Sequence, residues 1–116
     1  MSDQKLPDAI LKALGEPFPR AAVKSRQGAG NKQFKYVEAE TVIRRLNSAT
    51  NGAWDFRIVS VDWRGDVMLC QGELTIPGLG TRTGFGVQKV VPNSGEDLLK
   101  GASSDALKKS ATLFGV

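Results

Sequence analysis

The chain predicts an α+β fold: a β-hairpin and a three-stranded antiparallel meander, with helices packed on one face. Three observations predict it. Apolar residues recur at helical spacing in three separate segments, near residues 6–14, 38–51 and 95–116. Residues 54–90 form three alternating stretches, divided by Arg64-Gly65-Asp66 and by Pro77-Gly78-Leu79-Gly80. A shorter alternating ribbon, Ala22 to Val37, turns on Gly28-Ala29-Gly30-Asn31. Short turns between successive strands favour antiparallel pairing, and the order helix, hairpin, helix, meander, helix gathers the helices on one side.

Each element has its own signals. Leu6, Ile10, Leu11 and Leu14 share a helical stripe, Pro7 suits a first turn, and Gly15 suits a stop. Pro17 and Pro19 then hold the connection extended. In the hairpin, Lys24 and Arg26 alternate with Val23 and Ser25, while Phe34 and Tyr36 alternate with Lys35 and Val37. Glu38 to Asn51 reads as a helix with Val42, Ile43, Leu46 and Ala49 as its apolar stripe, closed by a left-handed cap at Asn51-Gly52. In the first meander strand the apolar phase shifts from Trp54, Phe56 and Ile58 to Val59, Val61 and Trp63, which predicts a β-bulge or a strand covered on both faces. Val67 to Ile76 and Thr81 to Val90 follow, the latter with glycines at 84 and 86 that permit close backbone approach or bending. Ser94 is the expected N-cap of the last helix, and Asp97 suits its positive end. At 116 residues this is one domain, divided into 1–19, 20–38, 39–52, 53–91 and 94–116.

The last helix carries the clearest pattern. Lys100, Ser104, Lys108 and Thr112 recur every four residues, so at about 100° per residue they draw one slowly drifting row of cations and hydroxyls. The opposite half carries Leu99, Ala102, Ala106, Leu107, Ala111, Leu113 and Phe114, the expected core face. Lys109 adds a further cation beside the row, and Asp105 opposes it.

Charge is uneven along the chain. The net charge is +4, yet residues 20–45 hold seven cations against Glu38 and Glu40, so positive charge and aromatic rings share the hairpin region. A concentration of this kind points to nucleic acid or another anionic surface; the competing reading is a merely solvated face. The hairpin and the last helix, both cationic, are expected to come together as the walls of one channel that follows a phosphate backbone.

Several function classes lose their residues. There is no histidine and only one cysteine, Cys70, so an ordinary zinc site and the commonest general base are missing, and no internal disulfide can form. No apolar run approaches the ~20 residues that cross a bilayer, and no signal peptide opens the chain, so no membrane association is expected and the location reads as cytoplasmic. Gly28-Ala29-Gly30 precedes a strand rather than a helix, which does not fit a dinucleotide loop, and no P-loop supports ATP hydrolysis. Asp55, Asp62, Asp66 and Glu73 could bind Mg²⁺ for nuclease chemistry, but they fall on outward or turn positions of the meander. No cofactor, no metal and no catalytic residue is expected.

Several pieces of the chain, taken in order, carry a family resemblance. They are Ser25-Arg26 with the glycine-rich turn, Lys35-Tyr36-Val37-Glu38, Asn51-Gly52-Ala53-Trp54 and Gly84-Phe85-Gly86-Val87. The last is Ser104-Asp105-Ala106-Leu107-Lys108-Lys109 leading to Phe114-Gly115. From about Leu11 to Val116 the chain resembles the Rad fifty-two superfamily of single-strand DNA annealing proteins, which includes bacterial and phage members and the DNA-damage-response A proteins. The resemblance implies an oligomeric annealing core, assembled side by side into a ring or a helical arc, with single-stranded DNA in a basic groove and its bases turned outward. It implies groove roles for Arg26, Tyr36, Lys100, Ser104, Lys108 and Lys109. Thr112 stands where an arginine is common. Lys24, Lys32 and Lys35 of the basic ribbon complete the expected DNA-binding set. No counterpart of the family's C-terminal recruitment regions is expected among these residues, so the resemblance implies no recombinase partner.

The expected function is therefore ATP-independent binding of single-stranded DNA and annealing of complementary strands in repair and recombination. Three other readings stay open on the residues alone. They are a general binder of duplex ends or RNA without annealing activity, a Mg²⁺-dependent nuclease, and a structural oligomer with incidental charge.

Overall fold

The computed structural model describes residues 7–28, 30, 32–90 and 95–116, with the backbone alone at 95–97. Leu6, Ala29, Asn31 and the Pro92-Asn93-Ser94 lead-in lie outside the described residues, as does the side chain of Asp97.

Helix α1 (Pro7–Leu14) starts on proline, whose missing N–H is no loss in a first turn. It buries Ile10 and Leu14, while Leu11, one step round the cylinder, stays 43% exposed. A short 3-10 turn (Arg20–Ala22) leads into strand β1 (Lys24–Gln27), which pairs antiparallel with β2 (Gln33–Tyr36). Helix α2 (Ala39–Thr50) buries Val42, Leu46 and Ala49 and ends on Asn51, whose φ of 56° is the expected left-handed cap. Arg45 of α2 clasps α1: its Nη1 donates to the carbonyls of Leu14 (2.9 Å) and Glu16 (2.6 Å), and its guanidinium lies 4.1 Å from the centre of the Phe18 ring. Leu14 is in the last turn of α1, where carbonyls lack intrahelical partners.

The meander comprises β3 (Asp55–Arg64), β4 (Val67–Ile76) and β5 (Gly80–Lys89), with β4 central and all pairs antiparallel. The register shifts between Ile58 and Ser60, so the phase shift in the sequence marks a β-bulge; the other alternative, burial on both faces, does not hold, because β3 is exposed along most of its length. Between β4 and β5, Pro77 and Gly78 (φ 86°) turn the chain, closed by Leu79 N–H donating to the Ile76 carbonyl at 2.9 Å.

Helix α3 (Gly95–Thr112) lies across β5 and β4. Gly84 and Gly86 make this approach possible: a Cβ at Gly84 would stand 2.5 Å from the Ser110 nitrogen, and one at Gly86 would run into the Ala102 carbonyl. The glycines thus serve close approach. The expected core face of this helix needs correction. Ala102, Ala106, Leu107, Ala111 and Phe114 are buried, but Leu99 (48%) and Leu113 (57%) are exposed, and Leu98 and Ser110 are buried instead. The sheet-facing row runs 98, 102, 106, 110, so a serine occupies a core position; its hydroxyl is satisfied by donating to the Ala106 carbonyl at 2.9 Å.

The main core joins all three helices to Leu74 and Ile76 of β4, and a second cluster joins Met68 and Cys70 to Leu98 and Ala102. These sheet residues share one face, so the helices pack on one side of the meander, as the α+β reading requires. The other face is open, with Phe85 55% and Val87 43% exposed.

Candidate nucleic-acid interface

The hairpin register sorts its side chains. Directly paired residues share a face, so Lys24, Arg26, Phe34 and Tyr36 lie on one side, and Ser25, Gln27, Gln33 and Lys35 on the other. The first face turns toward α3: the Lys108 ammonium stands 5.7 Å from the centre of the Tyr36 ring. From there the hairpin, α3 and the end of β5 enclose an open groove of about 540 Å³, lined by Arg26, Val87, Gln88, Gly101, Ser104, Asp105, Lys108 and Lys109. The ribbon and the closing helix therefore do meet, with Arg26 and Lys108 in one channel.

Not every expected residue reaches it. Arg26, Ser104, Lys108 and Lys109 line the groove. Tyr36 and Thr112 line a smaller pocket of about 180 Å³ beside it, together with Phe18, Val37, Val42, Val116 and Lys108, which borders both spaces. Lys24 and Lys35 line a different cleft, of about 380 Å³, with Arg20, Val23 and Ser25. Lys35 stands on the reverse face because strand side chains alternate, and uniform positive charge along a ribbon hides that alternation. Lys32 and Lys100 are exposed and line none of these three spaces.

Carboxylates tune the cations. Lys24 Nζ is 2.9 Å from Glu38 Oε1. The hydrogen bond and charge of this pair raise the Lys24 pKa and lower that of Glu38, and the Lys108 charge lowers Glu38 further. Lys109 Nζ is 2.9 Å from Asp105 Oδ2. The same oxygen accepts the Val87 N–H at 3.0 Å, so Asp105 ties α3 to the unpaired edge of β5. The sequence showed Asp105 only as an opposing charge; its role as an edge cap depends on where β5 lies. The Thr112 hydroxyl donates to the Lys108 carbonyl at 2.8 Å. Arg26 and Lys108 form no ion pair with a carboxylate among the described residues.

Sequence reasoning passed over two residues here. Gln88 enters the groove because Gly101 leaves room for it: a Cβ there would lie 2.6 Å from Gln88 Oε1. Phe18 sits in a proline-flanked connection with no periodicity to mark it, and only its stacking under Arg45 reveals a fixed position. On the open face of the sheet, Asp62 and Glu73 are engaged by Arg64 (2.9 Å) and Arg57 (3.3 Å).

Comparison with known proteins follows the same lines. Residues 7–116 match the family described as Rad52/22 double-strand break repair proteins. The chain is 32% identical, over 118 residues, to the single-stranded DNA-binding protein DdrA of Deinococcus deserti, covering 97% of this chain and 56% of that protein. It is 31% identical to the DdrA of Deinococcus radiodurans, covering 97% of this chain and 54% of that protein. The chain thus spans about half the length of the curated relatives it matches.

Proposed function

The chain belongs to the Rad52/22 family of double-strand break repair proteins, and from that premise we propose that it binds single-stranded DNA along the hairpin–α3 groove and promotes annealing of complementary strands. The observation that carries the reading is the presence of Arg26 and Lys108 in one channel. Phosphate oxygens need cations and donors along a line, and contacts to them carry no base code. Arg26, Lys108 and Lys109 supply the charge and Ser104 a hydroxyl; Lys24 and Lys35 extend the positive surface onto the neighbouring cleft. The two relatives are named as single-stranded DNA-binding proteins, which agrees with this chemistry.

Annealing needs no fuel, because pairing is downhill by roughly 1.4 kcal/mol per stacked step. The obstacle is kinetic: phosphate repulsion and self-structure in each strand. A cationic groove neutralises one strand and leaves its base edges free for the other.

A single groove holds few phosphates, so strength comes from repetition around an assembly of protomers, a ring or helical arc. An apolar strip supports that part of the reading. Ile58, Val61 and Trp63 of β3 pair with buried positions of β4, so they face the helix side of the sheet, yet α3 leaves them uncovered and Trp63 is 55% exposed. Leu99 lies one turn before Ser103, which faces Cys70, the cross-strand partner of Val61, and extends the strip onto α3. Such a protein works where chromosomal DNA is, in the bacterial or host cytoplasm; among the described residues no helix is long and apolar enough to cross a membrane.

The test mixes complementary labelled strands with the protein and no nucleotide triphosphate, and follows energy transfer between the labels. Faster pairing, lost as salt rises, is expected. Binding without acceleration would reduce the protein to a general nucleic-acid binder, and absence of binding at low salt would remove the groove assignment altogether.

A further inference from the structure

We propose that the pocket beside the groove takes one nucleobase of the bound strand, so that each protomer turns a single base inward while neighbouring bases face out. The inference rests on the single-strand reading above and adds a ligand class to a space that the phosphate groove does not use.

Size is the first argument. The pocket holds about 180 Å³. That is smaller than the ~300–1,000 Å³ clefts that enclose drug-sized ligands, and it suits one flat ring system rather than a whole nucleotide. Its walls are the second. Phe18 and Tyr36 supply aromatic surface, and Val37 and Val42 supply aliphatic surface. Base rings stack on aromatic side chains whatever their identity, so such a pocket preserves indifference to sequence. The Thr112 hydroxyl directs its proton to the Lys108 carbonyl, at 2.8 Å, which leaves its lone pairs to accept from a base N–H.

Rigidity is the third argument. The Phe18 ring is held under the Arg45 guanidinium at 4.1 Å, and that guanidinium is itself fixed by the Leu14 and Glu16 carbonyls. A wall already in place requires little ordering when a ligand enters. Position is the fourth. Lys108 lines both the groove and the pocket, so a phosphate held there keeps its own base at the pocket mouth. An apolar side chain of a second protein would satisfy the walls equally well, but an opening beside a cationic groove favours an anionic chain that carries flat rings.

The experiment compares two probes of equal length: oligothymidylate, which stacks little on itself, and the same sugar–phosphate backbone without bases. Binding of each to the full chain is measured by fluorescence anisotropy for the wild type, for Thr112→Trp, which fills the pocket from an exposed helical position, and for Tyr36→Leu, which keeps bulk and removes the aromatic wall. The wild type should bind oligothymidylate about tenfold more tightly than the baseless strand. Both variants should lose that preference. Thr112→Trp should hold the baseless strand as the wild type does, whereas Tyr36→Leu also releases the Lys108 ammonium from its aromatic contact and is read by the ratio of the two affinities alone. Equal wild-type affinity for the two probes would overturn the proposal, and so would a preference that survives both substitutions. A change in assembly mass by light scattering on Thr112→Trp, with the base preference intact, would assign the pocket to a protein side chain instead. Failure of the wild type to bind either probe would instead be a failure of the groove reading, so the two ideas fall separately.

Discussion

The Lys108 ammonium lies 5.7 Å from the centre of the Tyr36 ring, joining the closing helix to the return strand of the hairpin. A cation over an aromatic face contributes roughly 0.5–1 kcal/mol at an exposed site, enough to bias the two elements toward each other without freezing them. The contact also holds Lys108 between the groove and the pocket, and the other consequences for binding follow from that position.

Arg26→Ala and Lys108→Ala should each weaken binding of single-stranded DNA by about tenfold, as expected for loss of a charge-assisted contact. The log–log salt slope should fall by about 0.7 for each phosphate contact removed. Lys32→Ala and Lys100→Ala, at positions outside the groove, should have smaller effects. Anisotropy titrations over a salt series measure all four; equal losses at all four positions would mean that overall charge, not the channel, governs binding.

Glu38→Gln should tighten binding, because it releases Lys24 from a 2.9 Å ion pair and removes a negative charge near Lys108. The same release should occur in acid. The Glu38 pKa lies below its ordinary value because Lys24 holds the ionised form, so the pair is complete above the ordinary carboxylate range and is lost as pH falls through the lowered value. Wild-type affinity should therefore rise as the pH is taken into that range, and Glu38→Gln should flatten the rise. A pH series on the two proteins reads the difference directly.

Asp105 has two roles that substitution can separate. Asp105→Asn should keep an acceptor for the Val87 N–H while freeing Lys109, so affinity should rise with little change in stability. Asp105→Ala removes the acceptor as well and should cost about 1 kcal/mol, the scale of one hydrogen bond. Urea unfolding alongside DNA titration distinguishes the two outcomes.

Gly86→Ala should destabilise the domain by ~3 kcal/mol or more, since the new methyl group meets the Ala102 backbone rather than a yielding side chain. Gly65→Ala, at a turn with open space around it, should cost less, with strain confined to its φ of 62°. Chemical denaturation midpoints rank the pair.

Trp63→Arg should leave the protomer folded, because the side chain is 55% exposed, and should lower the assembly mass seen by light scattering. An unchanged mass would move the proposed contact between protomers away from β3.

Much of the architecture could be read along the chain because its signals are local. The Asn51 cap, the turn at Pro77-Gly78 and the bulge in β3 each declare themselves within a few residues, through φ preferences and side-chain alternation. Helix α3 was harder: a four-residue spacing named its cationic row, but choosing Leu98 over Leu99 for the core depends on the direction of the sheet beneath it. Lys35 shows the same limit in a strand, because its charge resembles that of Lys24 and Arg26 while its face is opposite.

Local chemistry along the backbone thus specified the elements, their order and the two cationic segments, since propensity, periodicity and turn geometry act over short distances. The presence of Arg26 and Lys108 in one groove, the burial of Ser110 and the pocket walled by Phe18 arose only when β5 accepted α3 on its glycines and Arg45 fastened α1 to α2. Those are contacts between residues far apart in sequence, and their geometry is set by packing that no single segment contains.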